Sequence, residues 1–268
     1  MALIIAGLGI KFLSHLTKET EKIIQESDKI FYLANDELFP EWIENCNKNT
    51  ESLYSIYFSK SHRSDSYSLI KEKILSELDH YKNVSFIVYG NPNFLVQITS
   101  LVSDGARNNG HEVYVLPAIS SFDCLLADLC INPGDGGMQL LEATELLAYR
   151  KFIDISSHIV IFQVAAIGQE GHSRDKESAC NGLKILCDYL YEFYSGDQQI
   201  IFYEASQYPG KTSKIIRTAL KDAYREEISS KTTVYIPPSR KGEIYTEIVN
   251  KIKSIYADFD TPSKKSSI

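Results

Sequence analysis

The chain of 268 residues has no long apolar run; stretches such as Ala2–Ala6 and Ile159–Phe162 last only a few residues. A membrane-spanning helix needs about 20, so none is expected. The N-terminus, Met-Ala-Leu-Ile-Ile-Ala-Gly-Leu-Gly, has no positive n-region and no signal cleavage site. The expectation is a cytoplasmic protein. Basic residues are in deficit, with 28 Lys and Arg against 35 Asp and Glu and a net charge of −7. The broad positive face of a general nucleic-acid binder is therefore missing. Five cysteines (Cys46, Cys124, Cys130, Cys180, Cys187) include no C-x-x-C pair, and the six histidines do not cluster with them. Neither zinc nor a disulfide framework is expected; the thiols read as buried or spare, in apolar surroundings. No internal repeat or low-complexity tract occurs.

What is present is ordinary globular material, 44% hydrophobic and 24% charged, enough for one large domain or two modest ones. Strand and helix patterns alternate. Strands are expected at Leu3–Ala6, Lys29–Leu33, Val84–Tyr89 and Glu112–Leu116. Helices are expected at Lys18–Ser27, with Thr17 as N-cap, at Ser64–Tyr81 and at Leu95–Asn109. This half reads as α/β with a largely parallel sheet. Ligands then bind outside the carboxyl ends of the strands, which selects the loops Gly7–Gly9, Tyr89–Asn93 and Pro117–Ser121. Beyond a boundary near Pro117–Ser121 follow a helix at Ser121–Leu129 and a tight Pro133–Gly137 loop. Further strands are expected at His158–Gln163, Gln199–Glu204 and Thr232–Ile236, and helices at Glu177–Tyr194, Ser213–Tyr224 and Gly242–Tyr256. The polar tail 261–268 reads as frayed. The expected units are 1–118, 119–240 and a C-terminal helix and tail at 241–268.

Gly7-x-Gly9 after the first strand would let a backbone approach a ligand, but the third glycine of a dinucleotide fingerprint is absent. A simple turn explains it equally well. Tyr57, Arg63, Asp65, Tyr67 and Tyr89 form a second group. Arg63 and Tyr67 are four apart and share a helix face, while Asp65 suits a first helical turn. A solvated Arg and a half-buried core Tyr would satisfy the same pattern.

The stretch from Pro117-Ala118-Ile119-Ser120-Ser121 through Cys124-Leu125, Ala127-Asp128-Leu129 and Pro133-Gly134 to Gln139 and Glu142-Ala143 resembles the tetrapyrrole-methylase superfamily. Within it the likeness is to the borosin α-N-methyltransferases, which methylate peptide backbone amides. Tyr57 and the Arg63-x-Asp65-x-Tyr67 arrangement match that family's catalytic set. Tyr89-Gly90-Asn91-Pro92 resembles its Tyr-Gly-His-Pro cofactor turn. Gln163, Tyr203-Glu204-Ala205 and Thr232-Thr233…Pro237-Pro238 match cofactor-lining positions. The likeness covers roughly residues 1–245. Asn91 stands where His is usual and Ala118 where Gly is usual.

The resemblance implies two α/β subdomains with S-adenosylmethionine in the cleft between them. It assigns Gly7, Gly9, Tyr89, Asn91, Ser120, Ser121, Gln163, Tyr203, Thr232 and Thr233 to the cofactor, with S-adenosylhomocysteine as product and no metal. Arg63 would stabilise charge on the amide oxygen, and Tyr67 or Tyr57 would take the amide proton. A homodimer is implied, and with it a two-to-two complex with the precursor. After Lys264-Lys265-Ser266-Ser267-Ile268 no apolar core-peptide run follows, so a separate precursor peptide is the expected substrate. Loop-placed Leu13, Phe39, Trp42 and Phe58 suit either an interface or core packing. Two other readings stand beside this one: a methyltransferase acting on a tetrapyrrole or other small molecule, and a non-catalytic peptide-binding module.

Overall fold

The computed structural model describes residues 1–34, 37–169, 171 and 176–257. The expected frayed tail lies outside them. The first half runs β1 (Ala2–Gly7), α1 (Lys18–Glu26), β2 (Lys29–Leu33), α2 (Phe39–Cys46), β3 (Thr50–Ser52), α3 (Tyr54–Tyr57), α4 (Arg63–Leu78), β4 (Asn83–Val88), α5 (Gln97–Asn108) and β5 (Glu112–Val115). Its five strands form one parallel sheet in the order β3-β2-β4-β1-β5. β1 and β4 are buried almost throughout, as continuous apolar strands in a doubly covered parallel sheet must be. One face packs on Ile70, Ile74 and Leu78 of α4 and on Ile98 and Val102 of α5. The other packs on Ile24 of α1 and on Phe39 and Ile43 of α2.

The second half runs α6 (Ser121–Leu129), β6 (Met138–Glu142), α7 (Ala143–Ala148), β7 (His158–Phe162), α8 (Lys176–Leu190), β8 (Gln199–Glu204), β9 (Lys214–Ala219), α9 (Leu220–Ala223), β10 (Thr233–Ile236) and α10 (Thr246–Ala257). Its sheet has the order β6-β7-β10-β8-β9. β6 and β7 are parallel, and β10 is antiparallel to both β7 and β8. Ile10, Tyr89 and Phe94 of the first half pack into the cluster built on Val160, Phe162 and Tyr203 of the second. The two sheets therefore share a core at the carboxyl ends of β1 and β4.

Three expectations need correction. Ser213–Tyr224 is not a helix: Lys214–Ala219 pairs antiparallel with β8 over six positions, and only Leu220–Ala223 is helical. Phe39 is not a loop residue but starts α2 and is 1% exposed, with Trp42 packed against it at 5.6 Å between ring centroids. Cys130 and Cys180 are exposed rather than set in apolar surroundings. Among the described residues no helix is long and apolar enough to cross a membrane.

Candidate functional site

Three loops meet where the halves join. The loops after β1 and β4 are tied by a reciprocal backbone pair, Gly9 N to Gly90 O at 3.2 Å and Gly90 N to Gly9 O at 3.0 Å. Gly7 lies under the loop after β5 with no room for a side chain: a Cβ there would stand 2.1 Å from Gly90 O and 2.7 Å from Ala118 Cβ. Asn91 clamps the arrangement. Its Nδ2 donates to Ala118 O at 2.7 Å and its Oδ1 accepts from Asn93 N at 2.9 Å. The two departures from the family pattern, Asn91 and Ala118, are thus hydrogen-bonded to each other.

Above these loops lies a cavity of about 200 Å³. Of the ten residues expected around a cofactor, Tyr89, Asn91, Ser120, Ser121, Gln163, Tyr203, Thr232 and Thr233 line it. Gly7 and Gly9 do not; they form the packed floor of the loop junction, and Gly9 borders a small neighbouring pocket with Phe12 and Gln207. Several liners already have protein partners. Ser120 caps α6, exchanging hydrogen bonds with Asp123. Tyr203 donates to Asp128 at 2.7 Å, and burial together with that carboxylate pushes its phenol far up. Thr232 donates to Glu204, which also accepts from Ser229 at 2.9 Å. Ser121, Gln163 and Thr233 are different. They line the cavity and make no side-chain hydrogen bond to any described residue, leaving two hydroxyls and an amide available to a ligand. Phe94, Phe162 and Ile10 supply apolar wall.

A larger groove of about 590 Å³ adjoins the cavity. Arg63, at the first position of α4, and Tyr67, one turn on, line it, with Leu95 and Gln163 as walls common to groove and cavity. Arg63 is half-buried, and its Nη2 donates to the backbone carbonyl of Gln169 at 2.6 Å. Tyr57, carried by α3, meets Tyr67 with ring centroids 6.0 Å apart. Both border a further groove of about 420 Å³ that Leu95 also borders. The three expected catalytic residues are thus gathered at one site. Asp65 is exposed in the first turn of α4, the place its charge suits. Leu95, His62, Glu142 and Gln169 escaped sequence reasoning. Glu142 shows a faint signal, since its side chain caps α7 by accepting Glu145 N at 2.8 Å.

The sequence profile of the tetrapyrrole (corrin/porphyrin) methylases matches residues 2–223. The chain belongs to the tetrapyrrole methylase family. A Dendrothele bispora protein named methyltransferase/ribosomally synthesized cyclic peptide dendrothelin A precursor is 29% identical over 100% of this chain and 64% of its own length. A methyltransferase/ribosomally synthesized type III borosin cyclic peptide precursor from Anomoporia bombycina is 31% identical over 96% of this chain, but the match covers only 30% of that protein. This tetrapyrrole methylase thus spans less than two thirds of either relative. Among solved structures, uroporphyrin-III-C-methyltransferase from Thermus thermophilus superposes with a TM-score of 0.62 at 12% identity, over 88% of this chain and 92% of that one. At that identity the likeness shows the fold alone.

Proposed function

We propose that the chain is an S-adenosylmethionine-dependent methyltransferase that N-methylates backbone amides of a ribosomally made precursor peptide. The observation that carries this reading is the shared wall. Leu95 and Gln163 border both the polar cavity and the groove that holds Arg63 and Tyr67, so ligands in the two spaces would meet there. The relatives' names, which join a methyltransferase to a cyclic peptide precursor, support a peptide as substrate.

The cavity fits the cofactor. Ser121, Gln163 and Thr233 would bind its polar ends, and Phe94 and Phe162 would face its ring. When bound, the cofactor supplies a methyl group on a positively charged sulfur. The chain's own work is at the peptide. Amide resonance makes the nitrogen a poor nucleophile. Arg63 would stabilise negative charge as it moves onto the carbonyl oxygen. Its existing bond to the Gln169 carbonyl shows that the guanidinium is already set to hold a peptide oxygen. Tyr67 or Tyr57 would accept the amide proton. Holding nitrogen and methyl in line removes much of the cost of a bimolecular encounter.

The test is incubation of the purified chain with S-adenosylmethionine and a pooled library of blocked ten-residue peptides, read by tandem mass spectrometry. Methyl groups on backbone nitrogen are expected. Methylation confined to side chains, or none, overturns the reading. The proposal extends to a peptide delivered as a separate molecule, which this assay also tests, and to a homodimer in a two-to-two complex with it. Tyr54 and Phe58, exposed beside the groove with ring centroids 4.7 Å apart, support a partner surface there. Light scattering at micromolar concentration should give the mass of two copies; a fully active monomer contradicts the dimer.

A further inference from the structure

Among the described residues, five non-glycine positions have positive φ, and two of them meet at one spot. Leu95 has φ 59°, and Gln163 has φ 59° with ψ 30°. One comes from each half of the molecule: Leu95 stands just before α5, Gln163 just after β7. Each follows a phenylalanine, and the two rings, Phe94 and Phe162, meet edge to face with centroids 5.0 Å apart. Phe94 also stacks on Phe122 at 6.2 Å. The residue before each strained position is therefore anchored by aromatic packing. On the far side α5 and the 3-10 turn Val164–Ala166 take up the chain at once. Left-handed backbone is costly at leucine. It persists only where the surroundings over-determine it, and such outliers gather at functional sites.

Leu95 borders three spaces: the polar cavity, the Arg63 groove and the Tyr57 groove. It is 44% exposed, so its side chain is not core packing. We propose that Leu95 is a wedge that closes the point where cavity and grooves meet, keeping water from the reacting amide and pressing it towards Gln163. This rests on the methyl-transfer reading and deepens it by naming a residue that would touch both ligands. Water admitted at this point would solvate the developing charge on the amide oxygen and weaken the hold of Arg63.

Strain gives the test its discrimination. Glycine takes positive φ freely, so Leu95→Gly relieves the backbone while deleting the wedge. Leu95→Asn keeps a residue that tolerates the conformation but makes the wedge polar. Both variants should melt within about 3 °C of wild type and bind S-adenosylhomocysteine with unchanged affinity. Both should methylate about tenfold or more slowly in single turnover. Wild-type rates in both variants, or loss of S-adenosylhomocysteine binding in both, overturn the wedge. If the wild-type chain binds S-adenosylhomocysteine yet methylates no peptide, the methyl-transfer reading fails on its own. The wedge is then decided by Leu95→Cys. S-adenosylhomocysteine should slow iodoacetamide labelling of position 95 roughly fivefold or more, because a pocket ligand buries most of its contact surface. Labelling at an unchanged rate overturns it.

Discussion

The loop after β1 folds around one imidazole. Nδ1 of His15 accepts from Ile10 N at 3.3 Å and from Lys11 N at 3.2 Å, and Ile10 belongs to the core shared by the two sheets. Burial, followed by repulsion from Lys11, holds the His15 pKa below its ordinary 6.5, against an opposing pull from Asp123 and Asp128. A ring whose Nδ1 is an acceptor must be neutral there. The unfolded chain takes up the proton near pH 6.5 while the folded chain resists. The stability this group contributes is thus complete above that pH and lost as pH falls through the folded pKa. Melting temperature should decline from about pH 6.5 to about pH 5.5, and His15→Asn, which keeps an acceptor but does not titrate, should flatten that limb. Equal slopes would show that His15 carries no such linkage. The residue scale is also where sequence reading reached least far. Tyr203 and Thr232 are correctly placed at the cavity, yet their hydroxyls serve Asp128 and Glu204, partners 75 and 28 residues away. Leu95 left no trace in the sequence, because a positive φ at leucine has no composition signal.

Helix α6 sets one edge of the cavity and owes its start to a capping box. Ser120 Oγ accepts from Asp123 N at 3.2 Å, and Asp123 Oδ2 accepts from Ser120 N at 2.7 Å. Removing half of such a box costs about 1 kcal/mol. Asp123→Ala should lower the melting temperature by about 2–4 °C and weaken S-adenosylhomocysteine binding, since Ser121 opens the same helix and lines the cavity. Calorimetry showing both quantities unchanged would mean that the cap does not place this wall. Ser120-x-x-Asp123 is a local signal, and the helix it begins has the bounds its pattern predicts. The segment from 213 to 224 shows the opposite case. Ile215, Ile216, Leu220, Ala223 and Tyr224 mimic helical spacing, but Lys214–Ala219 satisfies its backbone against β8. Tertiary pairing outweighs periodicity there, and β-branched Ile215, Ile216 and Thr218 favour the strand. β6 was hidden for the converse reason: Met138-Gln139-Leu140-Leu141-Glu142 is rich in helix formers, and only its parallel partner β7 makes it extended. Pro40 disguised α2 as a turn, although proline suits a first helical turn.

At the scale of the whole molecule, two sheets present their loops to a common space, and the site exists only because they do. Arg63 and Tyr67 come from α4 and Tyr57 from α3 of the first half. Gln163, Thr233 and the Gln169 carbonyl come from the second. The catalytic trio was legible because its spacing lies within eleven residues of continuous chain. The wall it shares with the cavity was not, since Leu95 and Gln163 lie 68 positions apart and meet only through Phe94 and Phe162. The central claim is that the planar fork of Arg63 stabilises the amide oxygen during methyl transfer. Lysine keeps the charge but has a compact ammonium on a flexible stem. Single-turnover methylation by Arg63→Lys tests the claim most directly. The variant should fold normally, bind S-adenosylhomocysteine as wild type does, and transfer methyl about 100-fold more slowly, the loss expected for one transition-state donor. A rate near wild type would contradict the account and leave Arg63 as no more than a clasp on the Gln169 carbonyl.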